Sequence, residues 1–133
     1  DSVFNPEETD IVKKIKEITY GRGVDIVYEA AGQSETIKQA EEIVKIGGKI
    51  VIYGIPSDDK VEFTAHIIRR KEVKIINVRR SCCTTLLSLQ MIQKSNLPFS
   101  EIVTHRFPFE RVNEAFELVS EYRDGVIKAM IDL

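Results

Sequence analysis

The sequence predicts an α/β fold organised around a mainly parallel sheet, and three observations carry that expectation. Two apolar runs, Val24-Asp25-Ile26-Val27-Tyr28-Glu29-Ala30-Ala31-Gly32 and Gly47-Gly48-Lys49-Ile50-Val51-Ile52-Tyr53-Gly54, have β-branched cores that do not alternate with polar residues. Strands of that composition are buried on both faces, as in a parallel sheet covered by helices. Between them, Ser34 to Ile46 places Ile37, Ala40, Ile43 and Val44 on one stripe at helical spacing and stops at Gly47. Each strand of this crossover unit opens, at its carboxyl end, into a loop of small residues, which is where parallel sheets bind ligands. No glycine-rich phosphate loop occurs, and the sequence opens at Asp1 without a methionine.

The other elements follow in chain order. Val3-Phe4 reads as a stub of strand. Asn5-Pro6-Glu7-Glu8 then starts a helix, with Asn5 as cap, Pro6 at the first helical position and Glu8 closing a capping box. Ile11, Val12, Ile15 and Ile18 form its buried stripe, and Gly21 or Gly23 ends it. Ile55-Pro56-Ser57-Asp58-Asp59 is a turn, Thr64 to Arg70 a short helix and Val73 to Val78 a strand. Thr84 to Lys94 is helical, with Leu86, Leu87 and Met91 turned inward and Leu89 a further candidate. Ile102-Val103-Thr104 is a short strand. Glu110 to Val119 is an amphipathic helix carrying Val112, Ala115, Phe116 and Val119, and Gly125 releases a closing strand from Val126 to Leu133.

Composition excludes several function classes. The 133 residues suit one domain with a modest core. A net charge of −2 with acids and bases interleaved leaves no polybasic stretch, which argues against a nucleic-acid partner. The longest basic cluster, Arg69-Arg70-Lys71, reads as the solvated end of a helix. No apolar run approaches the length of a membrane span, and no secretory leader pattern is visible. The two cysteines, Cys82 and Cys83, are adjacent and supply no disulfide framework, so a reducing cytoplasm is the expected location.

One ordered set of motifs carries a resemblance. Asp-x-Val-Tyr-Glu-Ala-Ala-Gly, Gly-Gly-Lys-Ile-Val-Ile-Tyr-Gly-Ile-Pro, Val-Arg-Arg, Thr-His-Arg-Phe-Pro-Phe-Glu, Glu-Ala-Phe-Glu and Gly-x-x-Lys succeed one another with compatible spacing from Asp1 to Leu133. Together they resemble the C-terminal third of the medium-chain zinc-type alcohol dehydrogenases, most closely the polyol, sorbitol-like branch. The resemblance implies an incomplete Rossmann domain, doubly wound with strand order 3-2-1-4-5-6, which begins here at the third strand, Val3-Phe4. It implies that the first two strands, the Gly-x-Gly-x-x-Gly loop, the ribose-binding acid and the N-terminal zinc-binding catalytic domain are not in this sequence. Residues 1–133 then form a partial dinucleotide-binding domain with a C-terminal closing segment. The parent would be an NAD- or NADP-dependent enzyme with zinc, moving hydride between an alcohol or polyol and nicotinamide, and this chain alone would be inactive.

The same resemblance assigns cofactor contacts. Ala30, Ala31 and Gly32 lie near the adenosine side, Tyr53, Gly54 and Ile55 reach the nicotinamide, and Asn77, Val78 and Arg79 offer backbone groups to the carboxamide. Arg79 stands where the polyol branch places an arginine near the active-site mouth. Lys128 falls where relatives have a cation that meets the pyrophosphate. The residues themselves add that a flat ring needs close backbone approach, which glycine permits; ordinary turn chemistry explains Gly47 and Gly48 equally well. Glu29, an acid ending an apolar strand, is suited to bonding a loop or facing a site. Arg80 reads as a surface cation and Asp25 as structural. His66, His105, Cys82 and Cys83 match no metal spacing; His105 reads as packed or solvent-facing, and the cysteines as small residues near the core.

Two alternatives keep different parents: a zinc-free quinone or enoyl reductase relative, which the Val-Arg-Arg and Thr-His-Arg-Phe-Pro stretches disfavour, and a non-catalytic association fragment. No zinc is expected to bind this chain, and nicotinamide cofactor only weakly. The run Val24 to Glu29 has central-strand composition but no neighbour on one side, so homo-oligomers through sheet edges are expected.

Overall fold

The computed structural model describes residues 2–56, 60–79 and 81–133. The turn read at 55–59 therefore falls largely outside the described residues, at Ser57, Asp58 and Asp59, as does Arg80. The chain divides into two compact units, one running to Cys82 and the other from Cys83 to Leu133.

The first unit holds α1 (Ile11–Ile18), β1 (Val24–Glu29), α2 (Ser34–Ile43), β2 (Val44–Ile52), α3 (Ala65–Lys71) and β3 (Lys74–Asn77). Its strands form one parallel sheet in the order β1-β2-β3, as the unalternating apolar runs demanded. The core lies where α2 covers the sheet: Ile37, Ala40, Val44 and Ile50 are buried, with Val27, Ile52, Ile68 and Val73 packed around them. Glu41 is buried on the same helix, and its Oε1 accepts from the backbone N–H of Thr64, the residue before α3.

Four expectations for this unit are corrected. The stripe Ile11, Val12, Ile15 and Ile18, expected to be buried, is only half-buried at its first three positions and exposed at Ile18, because α1 has little beside it to pack on. Val3-Phe4 forms no strand, because no neighbouring strand is there to take its backbone bonds. The Asn5 side chain does cap, accepting from Glu7 N, but only a turn over residues 5–9; the helix starts later, with Asp10 accepting from Lys13 N. Finally, α2 ends at Ile43 rather than at Ile46. Val44 is extended at its C-cap and already pairs with Val24. The chain then bulges through residues 45–48 and rejoins the register at Lys49 opposite Ile26. Gly47 takes φ +70° in that bulge, while Gly48 is buried where a Cβ would meet Val44 Cγ2 at 2.6 Å. A buried, β-branched Val44 favours the extended state over another helical turn.

The second unit holds α4 (Thr85–Lys94), β4 (His105–Pro108), α5 (Val112–Ser120) and β5 (Ala129–Asp132), with short 3₁₀ turns at Phe99–Ile102, Phe109–Arg111 and Arg123–Gly125. β4 and β5 pair in parallel, and Phe107 and Ala115 are its buried apolar residues. The strand expected at Ile102-Val103-Thr104 lies three residues later. Ile102 closes a 3₁₀ turn, and Thr104 instead ties the sheet edge, its N–H donating to Lys128 O at 3.0 Å and its Oγ1 accepting from Ile127 N at 3.1 Å. Leu86, Leu87, Leu89 and Met91, expected inward, are all more than half exposed, and Phe116 and Val119 on α5 are exposed too. The apolar stripes are present, but among the described residues the α4 stripe is left uncovered and α5 is covered only around Ala115. Cys82 and Cys83 are exposed rather than near the core.

Candidate functional site

Parallel pairing brings the carboxyl ends of β1, β2 and β3 to one edge, with Glu29, Ile52 and Asn77 in register across the sheet. The loops that follow are therefore adjacent. Ala30, Ala31 and Gly32 leave β1, Tyr53, Gly54 and Ile55 leave β2, and Val78 and Arg79 leave β3. Backbone bonds stitch them to the strands: Tyr53 and Gly54 N–H donate to Glu29 O at 2.7 and 3.0 Å, and Val78 N–H donates to Ile52 O at 3.0 Å.

Glu29 organises this edge. It is 3% exposed, and its Oε1 accepts from Ala31 N at 2.9 Å and Gly32 N at 2.8 Å. Thr36 Oγ1 lies 2.7 Å from the same oxygen and 2.8 Å from Gln33 O, so its one proton serves either. The carboxylate thus pins the loop that leads from β1 into α2. Its second oxygen, Oε2, is buried without a partner among the described residues. An acid closing an apolar run was legible in the sequence; Thr36, seven residues on, was not.

The two glycines are explained by the loops themselves. A Cβ on Gly54 would lie 2.5 Å from Glu29 Oε2 and 2.6 Å from Gly32 Cα. A Cβ on Gly32, where φ is +68°, would lie 2.5 Å from Ile55 O. The absence of a side chain thus lets the two loops interlock, a closer constraint than the open approach for a ring that the sequence suggested. Tyr28 and Tyr53 flank this region, with ring centroids 5.9 Å apart. A cavity of about 230 Å³ opens between β1 and α2, with Glu29, Ala30, Ala31 and Thr36 on its wall.

Arg79 is exposed, just past β3. Lys128 lies in the second unit, exposed, beside the start of β5; its carbonyl accepts from Thr104 N and His105 N. His105 is held by its neighbours. Nδ1 is 2.9 Å from Thr104 Oγ1, Nε2 is 3.2 Å from Asp124 Oδ2, and the ring stacks on Phe107. Among the described residues no three His, Cys, Asp or Glu side chains come together in a way that would hold a metal ion. Among the described residues no helix is long and apolar enough to cross a membrane.

Comparison with known proteins agrees with this architecture. The zinc-binding dehydrogenase family matches residues 1–93. Sorbitol dehydrogenase of Bacillus subtilis is 27% identical over 97% of this chain and 36% of its own length. L-threonine 3-dehydrogenase of Pyrococcus furiosus is 31% identical over 98% of this chain and 38% of its own. A putative zinc-binding dehydrogenase from Sinorhizobium meliloti, solved with NADP, superposes with a TM-score of 0.82 at 25% identity, over 98% of this chain and 38% of that one. The chain belongs to the zinc-binding dehydrogenase family. Its fold is a part of the Rossmann-type domain of such enzymes, and it spans a little over a third of the length of these relatives.

Proposed function

We propose that this chain supplies the nicotinamide-side cofactor loops of an NAD(P)-dependent, zinc-type alcohol or polyol dehydrogenase. The observation that carries this reading is the alignment of three strand ends, Glu29, Ile52 and Asn77, from which the loops 30–32, 53–55 and 78–79 emerge on one edge. Ala30, Ala31 and Gly32 would face the adenosine half, Tyr53, Gly54 and Ile55 the nicotinamide. Asn77, Val78 and Arg79 would meet the carboxamide side, and Lys128 would neutralise phosphate. The bound cofactor supplies hydride chemistry. The chain's part is to hold the loops in fixed register, which Glu29 does by capping the Ala31 and Gly32 amides. The substrate would be a small alcohol or polyol, as the names of the relatives indicate for those proteins.

The described residues do not fit a zinc site, so no catalytic step is assigned to a metal held by this chain. Without a zinc site the isolated chain is inactive in this reading. It also lacks the glycine loop whose amides grip pyrophosphate, so NAD(H) binds with a dissociation constant no better than roughly millimolar. Titration calorimetry tests this: weak binding is expected, and micromolar affinity would overturn it. In a longer parent, Arg79→Ala and Lys128→Ala should each raise KM for cofactor or substrate. If neither changes the kinetic constants, both assignments fail.

A specific observation also favours self-association. β1 is an edge of the described sheet, yet Ile26 and Tyr28 on it are 40% and 63% exposed. A second copy of this chain pairing along β1 would cover them.

A further inference from the structure

At the opposite end of the first unit's sheet lies a second cavity, of about 670 Å³, within the size range of small-molecule sites. It forms where Gly23 enters β1, where β2 begins at Val44, and where the last turns of α1, α2 and α3 meet. Five cationic side chains line it: Lys16, Arg22, Lys45, Arg70 and Lys71. Ile46 and Ile67 supply an apolar wall, and Ile46 is 72% exposed.

The charges do not cancel. Lys16 pairs with Glu42 at 3.6 Å, and Arg22 and Lys45 share the single carboxylate of Asp25. Arg70 has no acid partner among the described residues. Five cations thus stand beside three carboxylates, Glu42, Asp25 and the buried Glu41 next to Lys71, a formal surplus of two. The carboxyl ends of three helices offset part of it, about half a charge each, and Lys71 is committed to that task. Its Nζ donates to Glu41 O, Glu42 O and Val44 O at 2.7 to 2.9 Å. A positive remainder of about half a charge is left, and it is concentrated at Arg70. Burial first, and then repulsion from Lys16, lower the pKa of Lys71, while Glu42 and Glu41 act against that.

We infer that this cavity is an anion site for a small phosphate-bearing molecule, distinct from the cofactor loops at the other end of the strands. The phosphate lies between Arg70, Lys16 and the Arg22–Lys45 pair, and any apolar portion rests on Ile46 and Ile67. Arg70 is the recognition residue, since its guanidinium has no acid partner among the described residues and can fork onto two phosphate oxygens.

The test is a titration of the chain with inorganic pyrophosphate at low ionic strength, read by backbone amide shifts. Saturable shifts are expected at Gly21, Gly23, Lys45 and Ile46, weakening as salt is added. Arg70→Glu should raise the dissociation constant by about tenfold or more. Lys16→Glu, on a different helix, should do the same and serves if the first variant does not fold. Shifts confined to 30–32 and 53–55, no saturation, or unchanged affinity in a folded variant would each overturn the assignment.

Discussion

Gly54 and Gly21 show how differently one residue type can act. Gly21 has φ +78° and open space around a notional Cβ, so Gly21→Ala should cost only the left-handed strain, about 1–2 kcal/mol. Gly54→Ala would drive a methyl into Gly32 and Glu29 and should cost more, about 1–3 kcal/mol or above, because backbone must move. Urea unfolding of the two variants measures the difference, and equal losses would refute the interlocked loops. Glu29→Ala should lose about 1–3 kcal/mol by stranding the Ala31 and Gly32 amides, whereas Glu29→Gln keeps an acceptor and should lose less. Asp25 gives a pH signature. Its hydrogen bond from Lys45, and then that from Arg22, lower its pKa from 3.8 to about 2. The folded value lies below the unfolded one, so the pair favours folding above about pH 4 and that contribution fades as pH falls through about 2. The stability gap between the native chain and Asp25→Asn should be present near neutral pH and close by about pH 2.

At the scale of elements, caps decide boundaries. Asn5, the expected cap, closes only a turn, and it is Asp10 that bonds into the helix. Asp10→Ala should therefore cost about 1 kcal/mol, with Asn5→Ala nearly silent; thermal melts compare them. Lys71 closes α2 from thirty residues away in sequence, donating to three carbonyls, and Lys71→Met should destabilise by about 1–2 kcal/mol while Arg69→Ala does not. The β-α-β unit was legible because its periodicity and its β-branched runs agree with one another. Lys71 was not, since a basic run at a helix end reads the same whether it is solvated or reaches across to another helix. The end of α2 was missed because Gly47 marks a bulge as readily as a helix stop. The spacing of Leu86, Leu87 and Met91 shows that a stripe wants cover without showing what covers it.

For the molecule as a whole, the exposed apolar residues of β1, α4 and α5 are the basis for predicting association. Light scattering coupled to size exclusion should show dimers or larger species, and Tyr28→Lys on the open edge should shift them toward monomer; a monomer at high concentration in the unmodified chain would refute it. The family is readable in the motif order and the parallel sheet in the non-alternating apolar runs, whereas the division at Cys82 leaves no mark in composition. One detail of the candidate site reaches further. Because Gly32 sits against Ile55 and Gly54 against Gly32 and Glu29, the loops after β1 and β2 are meshed like gear teeth. A displacement of one loop presses on the other. A molecule that touches only Ala31 would thus be felt at Tyr53, and the two halves of a long, two-headed ligand would be sensed as one event.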